Sequence, residues 1–522
     1  MRPGSGHRLR AALLCTVLVV SGCTTLGPDY QTPQADWLEQ WQTSLYGQLG
    51  TPEERFESDL RFWWQLFDDP VLNRLIESAR RANPTLRIAG LRILESRAQL
   101  GIAGSGQYPQ VQQIGSAVSY VNTRQHGGST PGNDQEFVGY QLGFNLGWEF
   151  DFWGRYKRGI ESADAAFFSS IANQQAAQVL LSAQLADLYF AYRTTELRIA
   201  IARENAAIQK RSYEITERVY QSGEESELDL QQAKAQYLAT LSTVPALQIA
   251  LTKTRNALAT LLGRAPGAVP ELASAAAQLP SMSPLAIRDL PARLLMRRPD
   301  VRAAAWQVAA QSAQIGIAES DFYPSISLLG SIGWSGSSLS GSPTTGNLTI
   351  GPGLTWNIFD YGRIGNNVRV QDARLQQLIE QYQNTLLQAA REIDDAAISV
   401  VKTAEQNKIL VEAVSASKRS LELANTRYRE GYADFQRVLD AQRSVFSQTE
   451  GELVNRGDNI SAVIALYKAL GGGWVDTPVQ QLIPEALRES MQVRSDWGEL
   501  LNDPLPPGTS DPPSDPGTSR YE

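Results

Sequence analysis

Val138-Gly139-Tyr140-Gln141-Leu142-Gly143-Phe144-Asn145-Leu146-Gly147-Trp148-Glu149-Phe150 alternates without a break. Large apolar side chains take every second position; Gly, Gln, Asn and Glu lie between them. Successive side chains of a strand point to opposite faces, so one face here is large and apolar and the other small or polar. The run covers about 13 residues, roughly twice an ordinary globular strand. A tilted strand of about 9 to 11 residues crosses a bilayer. Apolar alternation ending in an aromatic residue, here Trp148, is the pattern of a transmembrane barrel strand with lipid outside and water inside. A half-buried strand of a soluble sandwich also alternates, but this length and these glycines favour the membrane.

The pattern returns. Leu348, Ile350, Pro352, Leu354, Trp356 and Ile358 alternate, and Ile326, Leu328, Ile332 and Trp334 give a partner strand. After Pro109 only Ile114, Val118 and Tyr120 keep the rhythm. The recurrence runs through the whole chain. Tyr108-Pro109 reappears as Tyr323-Pro324, 215 residues on. Trp148, Gly154-Arg155, Tyr220, Gly223, Ala233 and Leu262-Gly263 return as Trp356, Gly362-Arg363, Tyr428, Gly431, Ala441 and Leu470-Gly471, each 208 on. One length change of seven residues between Pro109 and Trp148 reconciles the two offsets. Copies of roughly 200 residues are too long for solenoid units; the chain is a duplicated half-protein. The Gly-, Ser- and Asn-rich residues 123–136 and 335–347 are expected as extracellular loops, one of them holding His126. Four strands cannot close a barrel, and an open edge in lipid leaves backbone groups unpaired. The chain must therefore oligomerise through its strand edges.

Each pair of strands leads into a very long helix. Residues 155–221 would make a rod of roughly 100 Å. Leu181, Leu185, Leu188, Tyr192 and Ile199 form a coiled-coil seam, matched by Ile393, Ala397, Val400, Ala404, Val411 and Val414. Gly223 and Gly431 stop these helices in the usual left-handed way. New helices follow, with Ser226 and Asp434 as expected caps, and run to Leu262-Gly263 and Leu470-Gly471. Pro245 is expected to kink the first of them. Gly471-Gly472-Gly473 follows a helix and lacks GK[ST], so it is a helix stop and not a phosphate cradle.

Arg2, Arg8 and Arg10 precede an apolar stretch of about ten residues, too short to span a bilayer, ending at Val20-Ser21-Gly22-Cys23. This is an export signal, and its end resembles a bacterial lipobox. That resemblance implies a lipid-anchored Cys23, and Thr24 in place of Asp favours the outer membrane. Cys15 and His7 leave with the signal, so the mature chain keeps His126 and no free thiol. Thiol nucleophiles and Cys/His zinc sites are excluded, and a Ser-His-Asp triad would have to be built on His126; no enzyme is expected. Loss of the three arginines takes the formal charge from −8 to −11, with 44 basic against 55 acidic residues. Without a basic block, a chain this acidic is a poor nucleic-acid binder.

Further motifs are specific in combination: Gly27-Pro28-Asp29-Tyr30-Gln31-Thr32-Pro33, Trp63-Trp64-Gln65-Leu66-Phe67-Asp68-Asp69-Pro70, Leu295-Met296-Arg297-Arg298-Pro299-Asp300-Val301, Asp360-Tyr361-Gly362-Arg363, Val438-Leu439-Asp440-Ala441-Gln442 and Tyr467-Lys468-Ala469-Leu470-Gly471-Gly472-Gly473-Trp474. On these the chain resembles outer-membrane efflux factors of the TolC/OprM type, in the NodT-like lipoprotein group, from Cys23 to about Trp474. The resemblance implies a mainly α protein with a membrane β-barrel portion. It also implies a homotrimer whose 12-stranded barrel continues into a 12-helix periplasmic tunnel. It also implies outer-membrane lipid, a periplasmic adaptor and an inner-membrane RND-type pump as partners, drugs or small toxic compounds as cargo, and no cofactor beyond the lipid on Cys23. Asp440 lands on an aspartate of the family's periplasmic gate, Arg437 stands where some members carry a second acidic ring, Tyr428 matches a tethering tyrosine, and Asp229 lies in the first tip. The bland alternatives are a carboxylate favouring a helix dipole and a tyrosine closing a seam. Gly223 and Gly431 mark the hairpin tips for adaptor contact.

The implied organisation is a signal peptide (1–22), a lipid-anchored extension (23–60), a first repeat (61–270; strands about 110–122 and 137–150, helices about 155–221 and 226–262), a second repeat (271–474; strands about 325–335 and 347–358, helices about 362–429 and 434–470) and a C-terminal extension (475–522). Six prolines among residues 503–522 predict a disordered tail from about 503. A coiled-coil adhesin would need neither amphipathic strands nor a duplicated hairpin. A duct for type I protein secretion is the runner-up; the lipobox and the full ending from Lys468 to Trp474 favour small-molecule efflux. Three methionines, at 282, 296 and 491, survive in the mature chain, too few for a copper or silver relay.

Overall fold

The computed structural model describes residues 24–35, 37–38, 41, 45–47, 60–123, 135–223, 226–274, 278–280, 291–337 and 345–506. Cys23, His126 and most of the two expected extracellular loops lie outside them.

One unit is built twice. In the first half, helices α1 (Pro70–Ala82) and α2 (Pro84–Ser105) lead to strands β1 (Val111–Thr123) and β2 (Gln135–Glu149), then to helices α3 (Arg155–Gln221) and α4 (Glu227–Leu261). In the second, α5 (Pro291–Arg297) and α6 (Pro299–Ser320) lead to β3 (Ser325–Gly336) and β4 (Thr345–Thr355), then α7 (Arg363–Arg429) and α8 (Phe435–Ala469). The long helices have 67 residues in both halves and the return helices 35. Local chemistry fixes the starts. The Asp69 carboxylate accepts from Val71 and Leu72 N–H, and the Asn83 side chain accepts from Thr85 and Leu86 N–H, each with Pro at the first helical position.

The strands form one antiparallel sheet in the order β1-β2-β3-β4. Val118 lies opposite Tyr140 and Ile332 opposite Leu348, so β1 and β3 are related by 214 residues although the Tyr-Pro pairs differ by 215. The extra residue of the first half sits at Gln110, whose side chain accepts from Glu149 N–H at 2.7 Å and donates to Glu149 O at 3.2 Å. The remaining six residues of the length change fall in the hairpin loop.

Helix α8 packs against both α7 and α3, and α3 against α4, so α4 and α7 are the lateral helices. One core joins Leu185, Tyr189 and Phe190 of α3 to Leu72, Leu75 and Ile76 of α1 and to Ile460, Val463 and Tyr467 of α8. A second joins Tyr382, Leu386 and Ile393 of α7 to Val301 and Ala305 of α6. The C-terminal helices α9 (Val479–Leu482) and α10 (Glu485–Arg494) bring Leu482, Ile483 and Met491 onto Ile93 of α2 and Phe168 of α3.

The structure corrects several details. The expected strand to 358 stops at Thr355, because its partner β3 begins at Ser325, the residue opposite Thr355. Helix α4 continues through Pro245 as one element, so the proline does not interrupt it. Asp434 precedes α8, but its side chain makes no capping bond; the carboxylate lies 3.9 Å from Arg437 Nε instead. In the second seam, Ala404 and Val411 are exposed, since α7 is lateral and lacks an in-chain neighbour there. Where the disordered tail is expected to start, Arg97 holds the Asp503 carboxylate and main-chain oxygen; the rest of that segment, residues 507–522, lies outside those described.

Candidate functional site

The sheet carries two chemically distinct faces. On one, Ile114, Val118 and Tyr120 of β1, the even-numbered residues 138–148 of β2, Ile332 and Trp334 of β3, and Leu348, Ile350 and Leu354 of β4 share a surface through their cross-strand pairing. Ile114 is 79% exposed and Leu348 76%. A soluble monomer rarely leaves so large a contiguous apolar patch in water. The other face is mostly small or polar, with Gln113, Ser119, Gln141, Asn145, Ser331, Thr349 and several glycines; Val111, Val121, Phe137 and Leu329 are its larger apolar members, Leu329 lying over Gly147 and Gly353. Among the described residues, the outer edges of β1 and β4 have no partner strand. With an even number of antiparallel strands, a β4 edge pairing antiparallel with the β1 edge of another copy would make a head-to-tail contact, the kind that can close into a ring. Among the described residues no helix is long and apolar enough to cross a membrane.

At the base of the sheet each half ties its last strand to the turn before its first. Trp148 Nε1 donates to Gln107 O at 3.2 Å and Trp356 Nε1 to Phe322 O at 2.9 Å. Between the halves, the Trp153 ring stacks on Tyr323 with centroids 4.6 Å apart, and its Nε1 donates to Pro324 O at 2.8 Å. The long helices start just beyond, at Gly154 and Gly362, both with left-handed φ. Asp151 accepts from Tyr156 and Lys157 N–H, and Asp360 from Gly362 and Ile364 N–H. The bond from Ile364, more than any other group, holds the Asp360 carboxyl below its ordinary range.

A strap of residues 24–29 crosses this junction. Thr24 N–H donates to Phe152 O and Leu26 N–H to Trp153 O, both at 3.2 Å. The Arg158 side chain, 5% exposed, donates to Leu26 O at 2.9 Å, Gly27 O at 3.1 Å, Asp29 Oδ1 at 2.8 Å and Glu161 Oε2 at 2.7 Å. Burial pulls the Arg158 pKa down, but bonds to the Asp29 and Glu161 carboxylates outweigh it and the net shift is upward. Gly27, φ 82°, lies so close to Gly316 of α6 that a Cβ would collide with its backbone. The strap thus touches both halves of the chain at this junction. Nothing in the periodicity marked Arg158; the Gly27-Pro28-Asp29 motif was its sequence signal.

At the far ends, Gly223 and Gly431 are left-handed, and their N–H groups donate to Tyr220 O and Tyr428 O. A Cβ at either would meet open space. Tyr428 is partly buried against Phe435, Val438 and Leu439, with its ring 5.3 Å from that of Phe435. Asp229 is engaged locally: Ser226 Oγ donates to its carboxylate at 2.5 Å and accepts from its N–H at 3.2 Å, the reciprocal bonding of a helix start. Asp440 is exposed, bonded to Arg443 at 3.1 Å and Gln436 at 3.2 Å. Arg437 shares that exposed side of α8. Within one chain, then, Asp440 and Arg437 lie together on α8, Tyr428 belongs to the core beneath, and Asp229 belongs to the other tip.

The family model for outer membrane efflux proteins matches residues 75–264 and 290–472, one stretch in each half. The solvent efflux pump outer membrane protein SrpC of Pseudomonas putida is 31% identical over 483 residues, covering 90% of this chain and 99% of that protein. The probable outer membrane lipoprotein SilC of Salmonella typhimurium is 28% identical over 472 residues, covering 90% and 100%. The solved outer-membrane channel OprN superposes with a TM-score of 0.78 at 33% identity, over 86% of this chain and 99% of that one.

Proposed function

We propose that this chain, which belongs to the outer membrane efflux protein family, is the passive trimeric conduit through which a tripartite pump exports drugs or small toxic compounds. It is an outer-membrane lipoprotein channel with a periplasmic helical extension, and it performs no chemistry. The observation that carries the reading is a 4-stranded sheet with one exposed apolar face and two edges that are unpaired among the described residues. Three such sheets would close a 12-stranded barrel and leave no backbone edge in lipid. Exposed apolar residues on both lateral helices, Leu238, Leu241 and Ile249 on α4 and Ile409, Val411 and Leu423 on α7, support lateral packing of copies along the tunnel as well. The strap supports lipidation at Cys23, because it would deliver the acyl chains to the base of the barrel.

Energy would come from an inner-membrane RND-type pump coupled through a periplasmic adaptor at the hairpin tips around Gly223 and Gly431. The tip of the second hairpin is the proposed gate. Three Asp440 carboxylates around a narrow axis would repel one another unless paired, and in this chain Arg443 and Arg437 stand beside them. The similarity to a solvent efflux outer membrane protein favours small compounds over protein secretion. Gene deletion followed by drug, solvent and metal sensitivity tests the cargo. Hypersensitivity restored by the intact gene is expected; unchanged tolerance with loss of one secreted protein would favour the secretion duct.

A further inference from the structure

The duplication makes the missing interchain contact readable from the one inside the chain. Trp153, just before Gly154, stacks on Tyr323 and bonds Pro324 O across the β2–β3 junction. Its counterpart 208 residues on is Tyr361, just before Gly362, and the counterpart of Tyr323-Pro324 is Tyr108-Pro109. Inside one chain these two tyrosines belong to opposite outer edges of the sheet, one at the end of β4 and one at the start of β1. Both are bare: Tyr361 is 101% exposed and Tyr108 69%. Tyr361 also has a left-handed φ of 51°, a conformation that costs a non-glycine residue energy and persists where surroundings hold it. Among the described residues nothing packs on its ring to do so.

Resting on the ring closure proposed above, we infer that Tyr361 of one copy stacks on Tyr108 of the next, its hydroxyl donating to Pro109 O there. The occupant of this edge is a second copy of the same chain, and the contact is an aromatic clasp at the base of each β4–β1 seam. The seam register follows from the same symmetry. Gly143 lies opposite Gly333 in the β2–β3 pair; their equivalents are Gly351, 208 on, and Ser119, 214 back, so Gly351 faces Ser119 of the next copy. The Trp356 bond to Phe322 O repeats that of Trp148 to Gln107 O, which holds the Tyr-Pro turn in the same place in both halves despite the extra residue at Gln110.

Two measurements on the full-length acylated protein in detergent test this. Gly351→Cys combined with Ser119→Cys should give oxidised dimers and trimers on a denaturing gel, since the mature chain has no other free thiol. Loss of those bands would overturn the ring closure itself. In a double-mutant cycle on the heat dissociation of the oligomer, Tyr361→Ala and Tyr108→Ala should each lower the midpoint, and the double variant should fall no further than the worse single one. Tyr361→Phe should retain most of the midpoint. Cross-linking with strictly additive losses, or with no loss at all, would overturn the clasp and leave the closed ring standing.

Discussion

Trp356 Nε1 donates to the main-chain oxygen of Phe322 at 2.9 Å. That bond draws the end of β4 against the turn that precedes β3, so the base of the hairpin is closed where the sheet meets the helices. Trp148 and Gln107 do the same in the first half. An indole bonds at one end while its rings cover apolar surface, which suits a residue at a membrane border.

Trp356→Phe keeps the apolar surface and removes the donor, so it should cost about 1 kcal/mol, and Trp148→Phe a similar amount. Thermal unfolding in detergent, followed by the β-sheet circular dichroism signal, measures both. A large effect of one and none of the other would break the equivalence of the halves.

Arg158→Ala leaves the Leu26 and Gly27 carbonyls without their donor, at a cost of roughly 1–3 kcal/mol. Arg158→Lys should rescue little, because one ammonium cannot reproduce a planar fork serving several acceptors. Limited proteolysis reads the result directly: the strap should become cleavable near residues 24–29 while the helices stay protected.

Tyr467 stacks on Trp63 with ring centroids 5.6 Å apart, and among the described residues its buried hydroxyl has no hydrogen-bond partner. Tyr467→Phe keeps the stack and removes a desolvated polar atom, so stability should hold or rise by about 1–2 kcal/mol. The same burial raises the pKa of Tyr189, Tyr382 and Tyr467, that of Tyr382 to about 12. A raised tyrosine pKa means that the neutral form is the one that folds. Its stabilisation is complete below the unfolded value of about 10 and is lost as pH climbs toward the folded values. Unfolding midpoints should therefore drop steeply above about pH 10, and less steeply in Tyr467→Phe.

Asp440→Ala breaks an exposed pair with Arg443 worth at most about 1 kcal/mol, so the oligomer should stay intact. In planar bilayers the closed-state conductance should rise, or its block by multivalent cations should weaken. If neither changes, Asp440 does not belong to the gate.

Much of this architecture was legible before any coordinates. Strict alternation at 138–150 marked the membrane sheet, because only the side-chain period of a strand produces it. The recurrence of Gly154 at Gly362 and of Gly223 at Gly431 marked both ends of the long helices, since those backbones need left-handed φ. Other features depend on distant partners and left no local trace. The Arg158 clamp takes in residues more than 125 positions away. The exposure of Ala404 and Val411 follows from which helix is lateral, a property of packing order and not of heptad pattern. Asp434 looked like a cap by residue type, yet its carboxylate turned toward Arg437. For the gate, Asp440 and Arg437 share a helix surface, but their relation to the pore axis depends on neighbouring copies.

The most direct measurement is the mass of the acylated protein released intact from detergent micelles in a native mass spectrometer. Strands that must borrow partners to shield their edges from lipid predict a species of three chains, each near 57 kDa before signal removal. A lone chain at every concentration, staying dissolved in plain buffer once the lipid is cut away, would contradict it.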